Sequence, residues 1–222
     1  HLNLSHNQRM DWLQLVRSEN VGPVTFYNLI ARFGDAATAL DKLPDLAARG
    51  GRKKPLHIAR RKEIEAEYNK LCELGGGIIL ACEANYPLAL SAIEDAPPVL
   101  SYIGHTQLLD QATVAIVGAR NASLNGRKFA GKLAGELGQA GTIITSGMAR
   151  GIDTSAHQGS LETGTIAAVA GGLDVIYPKE NEALYNDIAR RGLVISEARL
   201  GEQPTARHFP RRNRIISGLA QG

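Results

Sequence analysis

The chain has 222 residues, of which 44% are hydrophobic and 21% charged, and carries a net charge of +3. That length accommodates one large domain, or a moderate domain with a small companion, and the composition is that of an ordinary globular protein. No apolar run approaches the roughly 20 residues needed to cross a bilayer, and two cysteines are too few for a disulfide framework.

Cys72 and Cys82 also lack the ligand spacing of a zinc site, so they read as reduced thiols of a cytoplasmic protein. The small positive charge permits an anionic partner without requiring one. Basic residues concentrate in two places. One is the run Arg49, Arg52, Lys53, Lys54, Arg60, Arg61 and Lys62, and such runs are usually solvated faces. The other is the group Arg207, Arg211, Arg212 and Arg214.

From Met10 to about Lys70 the pattern is helical. Trp12, Leu13, Leu15 and Val16 form an apolar stripe, and Phe26, Leu29, Ile30 and Phe33 recur at helical spacing. Gly34-Asp35 ends one helix and opens the next, and a charged helix is expected from about Ile58 to Leu74. Gly75-Gly76-Gly77 marks a boundary, which predicts a helical domain over 8–75 and a second domain over 76–222.

Strands and helices then alternate. Strands are expected at Ile78–Ala81, Val99–Ile103, Thr113–Val117, Thr142–Thr145, Ile166–Ala170 and Leu193–Ser196. Helices are expected near Asn125–Ala140, Thr154–Thr163 and Glu182–Arg190. Apolar strands separated by helices predict an α/β fold with a Rossmann-like parallel, partly mixed sheet covered on both faces. Such a sheet is expected to continue past Gly222.

The last four strands each end in a distinctive loop. The first loop is Gly118-Ala119-Arg120-Asn121-Ala122-Ser123. The second is Ser146-Gly147-Met148-Ala149-Arg150-Gly151-Ile152-Asp153, where a strand breaks into a glycine-bearing turn and then a helix. The unpaired N–H groups of such a helix start favour an anion, most often a phosphate. The third is Gly171-Gly172-Leu173-Asp174, followed by Tyr177-Pro178-Lys179, and the fourth runs from Glu197 to His208-Phe209-Pro210-Arg211-Arg212-Asn213-Arg214. In an open parallel sheet all four meet at the carboxyl ends of the strands. Arg120, Arg150, Lys179 and Arg211 would then converge on one cleft and repel one another unless an anion fills it.

Plainer roles stand beside these. Gly171-Gly172 could be a simple turn, Asp153 a helix cap, and Asp174 an ion-pair partner that orients Lys179 or Arg120. His157 and His208 read as structural or surface residues, and Tyr177 and Phe209, taken singly, as core. The dinucleotide fingerprint and the Gly-Lys-Ser/Thr phosphate loop are both missing, and no catalytic triad or metal cluster stands out. A cleft rich in cations and backbone donors but poor in acid–base groups favours binding over catalysis. No cofactor is implied. Arginines beside aromatics suit nucleic-acid phosphates and stacked bases.

Ile116-Val117-Gly118-Ala119-Arg120, the second loop, Gly172-Leu173-Asp174-Val175-Ile176-Tyr177-Pro178 and His208–Gly218 occur in order across roughly residues 97 to 222. Together they resemble the DNA-processing protein A family, also called Smf, and the helical N-terminal part is similar to its small SAM-like domain. The resemblance implies an extended Rossmann fold that dimerises, binds single-stranded DNA and delivers it to the recombinase RecA in natural transformation. It implies DNA contacts by Arg120 and Lys179, with Phe209 as a stacking platform. Gly118, Ser146, Gly147, Met148, Arg150, Gly151, Gly171, Gly172, Arg211, Arg212 and Asn213 complete the expected DNA-binding set. Family members often add a winged-helix-like domain after the sheet. Val21-Gly22-Pro23-Val24-Thr25 is similar to a helix-hairpin-helix turn, though the same string also makes an ordinary helix connection. The competing enzymatic reading is a nucleotide phosphoribohydrolase of the lysine-decarboxylase-like (LOG) type, whose Pro-Gly-Gly-x-Gly-Thr motif is not in this chain. A plain nucleotide-sensing domain is the third reading.

Overall fold

The computed structural model describes residues 3–49 and 56–222. Arg52, Lys53 and Lys54 of the basic run lie outside the described residues.

Four helices come first: α1 (His6–Arg17), α2 (Pro23–Phe33), α3 (Ala36–Arg49) and α4 (Arg61–Glu73). Their starts are written locally. Ser5 and Gln8 form a capping box on α1, Pro23 occupies the first turn of α2, and Asp35 accepts the Thr38 N–H at 2.8 Å to start α3. The rings of Trp12 and Phe26 meet at 4.9 Å and fasten α1 to α2. The charged helix starts at Arg61 rather than Ile58, and Arg61 is answered there by Asp11 at 2.6 Å and Glu65 at 3.1 Å.

The sheet follows: β1 (Gly76–Leu80), β2 (Val99–Gly104), β3 (Thr113–Ala115), β4 (Ile143–Ser146), β5 (Thr165–Ala168) and β6 (Leu193–Ser196), with α5 (Leu88–Ser91) between β1 and β2. β1 starts at Gly76, two residues before the expected Ile78. The order is β1-β2-β6-β5-β4-β3. β3 to β6 are parallel, whereas β1 pairs antiparallel with β2, and β2 with β6. The sheet is therefore mixed. The last residues run along the outer edge of β3, where the Gln221 N–H donates to Thr113 O at 2.9 Å.

The parallel strands are joined by α6 (Leu124–Gln139), α7 (Ile152–Ser160) and α8 (Glu182–Arg191), and α9 (His208–Leu219) follows β6. Strand side chains alternate between the faces. Ile144, Ala167 and Val194 pack on the side of α6, α7 and α8, while Ile143, Ile166 and Ile195 pack with Leu90, Ile215 and Ile216 on the opposite side. One buried cluster runs from Met10, Trp12 and Phe26 through Ile78 and Val99 to Val194. The helical part thus shares its core with the sheet. Because β3 to β6 point the same way, their four exit loops lie along one edge.

Candidate nucleic-acid interface

The first two exit loops are organised by one carboxylate. Asp153 sits in the first turn of α7, only 4% exposed. Its Oδ1 accepts the Gly118 N–H at 3.3 Å, and its Oδ2 accepts those of Gly147 at 3.1 Å and Ala149 at 3.4 Å. Burial pushes its pKa above the ordinary aspartate value, with the amides and Arg212 pulling the other way. Asp153 therefore does more than cap its own helix: it holds the β3 and β4 loops side by side. Gly151 completes the join at φ +80°, where a Cβ would lie 2.3 Å from Ala119 O. No larger residue fits that turn.

A second tie comes from α9. Arg212 is 5% exposed, and its Nη1 donates to Gly147 O and to Ala168 O, the latter at 2.6 Å. Its guanidinium fills the space that a side chain at Gly147 would occupy. Arg212 is thus a buried brace beneath the site rather than a free cation facing it. The β4 loop is held from above by Asn181, whose Nδ2 donates to Met148 O and to Thr154 Oγ1, both at 2.9 Å. The Met148 side chain is buried, and Ser146 Oγ donates to Ile116 O at 2.6 Å.

On this frame stands a cleft of about 230 Å³, lined by Arg120, Asn121, Gly147 to Arg150, Tyr177, Pro178 and Phe209. The Arg120 guanidinium lies 4.9 Å from the centre of the Phe209 ring, which in turn stands 5.7 Å from the Tyr177 ring. Tyr177 is half exposed, so its expected core role is corrected. Arg120 has no acid partner among the described residues. Arg150, also on the rim, pairs with Glu180. Lys179 is exposed in the short 3₁₀ turn Lys179–Asn181 just after Pro178. Asn121 and Asn181 are the additions that sequence reasoning missed. Asn121 lies in the first distinctive loop but carries no charge that would have marked it, and Asn181 lies outside the four loops' glycine and charge patterns.

The other expected residues are placed elsewhere. Asp174 orients neither Lys179 nor Arg120, because its carboxylate is taken by Lys70 at 2.6 Å and the Gly201 N–H at 2.6 Å. Gly171 and Gly172 are buried beneath the loop at 199–204, where the Gly172 N–H donates to Glu202 O at 2.9 Å. The expected basic cluster is divided, with Arg212 turned inward and Arg211 and Arg214 converging on Glu197. Arg211 pairs with Glu197 at 3.0 Å, and Arg214 with Glu197 and with Asp95 at 3.2 Å. Asn213 is exposed and receives the Arg212 Nε at 3.1 Å. Among the described residues no group of three or more His, Cys, Asp and Glu could hold a metal, and no helix is long and apolar enough to cross a membrane.

The order of these loops has a counterpart among known proteins. Residues 77–222 match the family model for DNA recombination-mediator protein A. The chain belongs to that family. Residues 6–69 match a second model, the DprA-like N-terminal HHH domain. Among curated members of the DNA recombination-mediator protein A family, the DNA processing protein DprA of Streptococcus pneumoniae is 48% identical over 139 residues, covering 62% of this chain and 49% of its own. The DprA of Bacillus subtilis is 38% identical over 174 residues, covering 74% and 59%. The chain spans about half the length of these relatives. The X-ray structure of the pneumococcal protein superposes with a TM-score of 0.69 at 32% identity, over 98% of this chain and 71% of that one. A structure of Helicobacter pylori DNA processing protein A, concerned with its single-stranded DNA binding mode, gives 0.61 at 34% identity over 65% of this chain and 66% of that one.

Proposed function

We propose that the chain binds single-stranded DNA in the cleft between the β3 and β4 loops, Tyr177 and Phe209, and does so without enzymatic turnover. The observation that carries this reading is Arg120, exposed and without an acid partner among the described residues, laid over the Phe209 ring with Tyr177 beside it. A cation next to two partly exposed rings serves one phosphate and its neighbouring bases, and no duplex geometry is needed. The amides that could have bound a small phosphate are partly spent: Gly118, Gly147 and Ala149 already donate to Asp153. Family membership supports the larger role, in which a homodimer in the cytoplasm protects an incoming strand and delivers it to RecA during transformation.

The test is fluorescence anisotropy with a labelled oligothymidylate. Arg120→Ala and Phe209→Ala are each expected to weaken binding by about 1–3 kcal/mol, roughly 5- to 150-fold in Kd, with the melting temperature unchanged for Arg120→Ala. Unchanged affinity in both variants would remove the cleft from the DNA path. Release of free base from nucleoside monophosphates by the unmodified protein would replace the binding reading with the phosphoribohydrolase one.

A further inference from the structure

Two more cavities open along the same edge of the sheet. The larger, about 330 Å³, lies between the α1–α2 turn, with Asn20 and Gly22, and the segment after β6, with Glu197, Arg199 and Arg211. A small one of about 10 Å³ lies between it and the Arg120 cleft. This waist shares Gly147, Tyr177 and Phe209 with the cleft, and Val169, Ala170 and Arg212 with the larger cavity. It has room for little more than one water, so bases can sit on either side of it but not within it. The whole path follows the ends of β3, β4, β5 and β6. Those are three strand spacings, or roughly 14 Å, before the α1–α2 turn is reached.

The charge along this path is not balanced. Glu197 faces the larger cavity but is shared by Arg211 and Arg214, and Glu202 lies beside His208 at 3.5 Å. Arg17 is paired with Glu67 at 3.0 Å. Arg199 is exposed on the wall; its backbone N–H donates to Glu202 Oε2 at 3.3 Å, while its guanidinium has no salt-bridge partner among the described residues. The opposite wall is the start of α2, where Gly22 provides no side-chain cap and no acid occupies the first turn. The walls carry four arginines against two glutamates among valines and prolines, and no Phe, Tyr or Trp lines them. This chemistry suits a sugar-phosphate backbone rather than a stacked base.

Resting on the reading of the Arg120 cleft given above, we propose that a single strand leaves that cleft, crosses the waist over Phe209 and lays a second phosphate segment in the larger cavity. Arg199, Arg211 and the α1–α2 turn hold that segment. The helical N-terminal part is then one wall of the DNA path, and affinity depends on strand length in a way the Arg120 cleft alone would not produce.

Oligothymidylates of increasing length, titrated by anisotropy across a salt series, test this with two variants. Arg199→Glu reverses the uncompensated charge. Gly22→Asp adds a carboxylate on the far wall at φ −85°, ψ 177°, with nothing within 4 Å of the new Cβ. Aspartate is a better helix cap than glycine, so melting should be unchanged or higher and folding is separated from binding. Both variants should bind the shortest productive oligonucleotide as the unmodified protein does. Both should bind long ones roughly tenfold more weakly, with a salt slope shallower by about 0.7 for each phosphate no longer held. Arg120→Ala should weaken every length. Long-strand affinity and salt slope left intact in both variants, with Arg120→Ala still weakening binding, would overturn the second segment and leave the first. Equal weakening at every length would overturn it as well, as an unspecific charge effect. If Arg120→Ala changes nothing, the cleft itself is wrong.

Discussion

Two arginines face the Phe209 ring, and their difference sets what each can do. Arg120, at 4.9 Å, is exposed and free to meet a phosphate; Arg212, at 5.9 Å, is buried and committed to two carbonyls. The buried charge also acts on its neighbours. His157, fully buried with its Nδ1 2.7 Å from Thr165 Oγ1, has its pKa pushed down to about 3 by burial and by the positive charge of Arg212. Its folded value lies below the ordinary 6.5, so between these limits the unfolded chain takes up a proton that the folded chain refuses. The His157 contribution is therefore fully present above about pH 6.5 and declines as pH falls, by up to about 1.4 kcal/mol per pH unit. His157→Gln should be less stable than the parent near neutral pH, because the hydrogen bond to Thr165 is disturbed, yet lose less on acidification. Urea melts at about pH 7.5 and about pH 5 measure this, and an equal acid loss in both proteins would show that His157 is not the titrating group.

At the scale of elements, the parallel strands and their connecting helices were legible because buried strands read as short apolar runs and helices by their period. The strand at Leu193–Ser196 agrees to the residue. α9 was not legible: His208–Leu219 carries so much charge in its first half that the string reads as a basic loop. On a helix successive residues turn by about 100°, so Arg212 points away from Arg211 and Arg214, which share a face and meet at Glu197. The role of Asp153 was hidden for another reason. A carboxylate after a glycine loop looks like a cap, and only the fold brings Gly118, thirty-five positions earlier, within reach. This gives the element-scale prediction. Asp153→Asn keeps the shape but replaces one acceptor oxygen with a donor facing backbone N–H groups, so at least one loop loses its anchor. The expected loss is about 1–3 kcal/mol of stability, together with weaker oligonucleotide binding although Asp153 faces no ligand. Full stability and full affinity would mean that the two loops keep their spacing without it.

At the scale of the molecule, the question is whether the helical part is an appendage or a fixed part of the interface. The continuous core argues for the second, and one buried ion pair locks the arrangement. Arg17 of α1 meets Glu67 of α4 at 3.0 Å, with their side chains 7% and 11% exposed. Arg17 also donates to Glu197 O at 2.9 Å and Ala198 O at 3.2 Å, and Glu67 accepts the Leu200 N–H at 3.3 Å. Two helices of the N-terminal part and the segment after β6 thus meet at one guanidinium, directly beside the loop that carries Arg199. Arg17→Ala leaves Glu67 buried without its cation and two carbonyls without donors, which is expected to destabilise the protein by about 3–5 kcal/mol. Because much of that is the penalty of an isolated charge, Arg17→Met combined with Glu67→Leu should recover part of it. A double-mutant cycle from urea melts reads the coupling directly. Additive losses would mean that the pair contributes no coupling and that the helical part is held by its apolar packing alone. A coupled pair should make unfolding of the two parts coincide when followed separately, at Trp12 and by overall helicity.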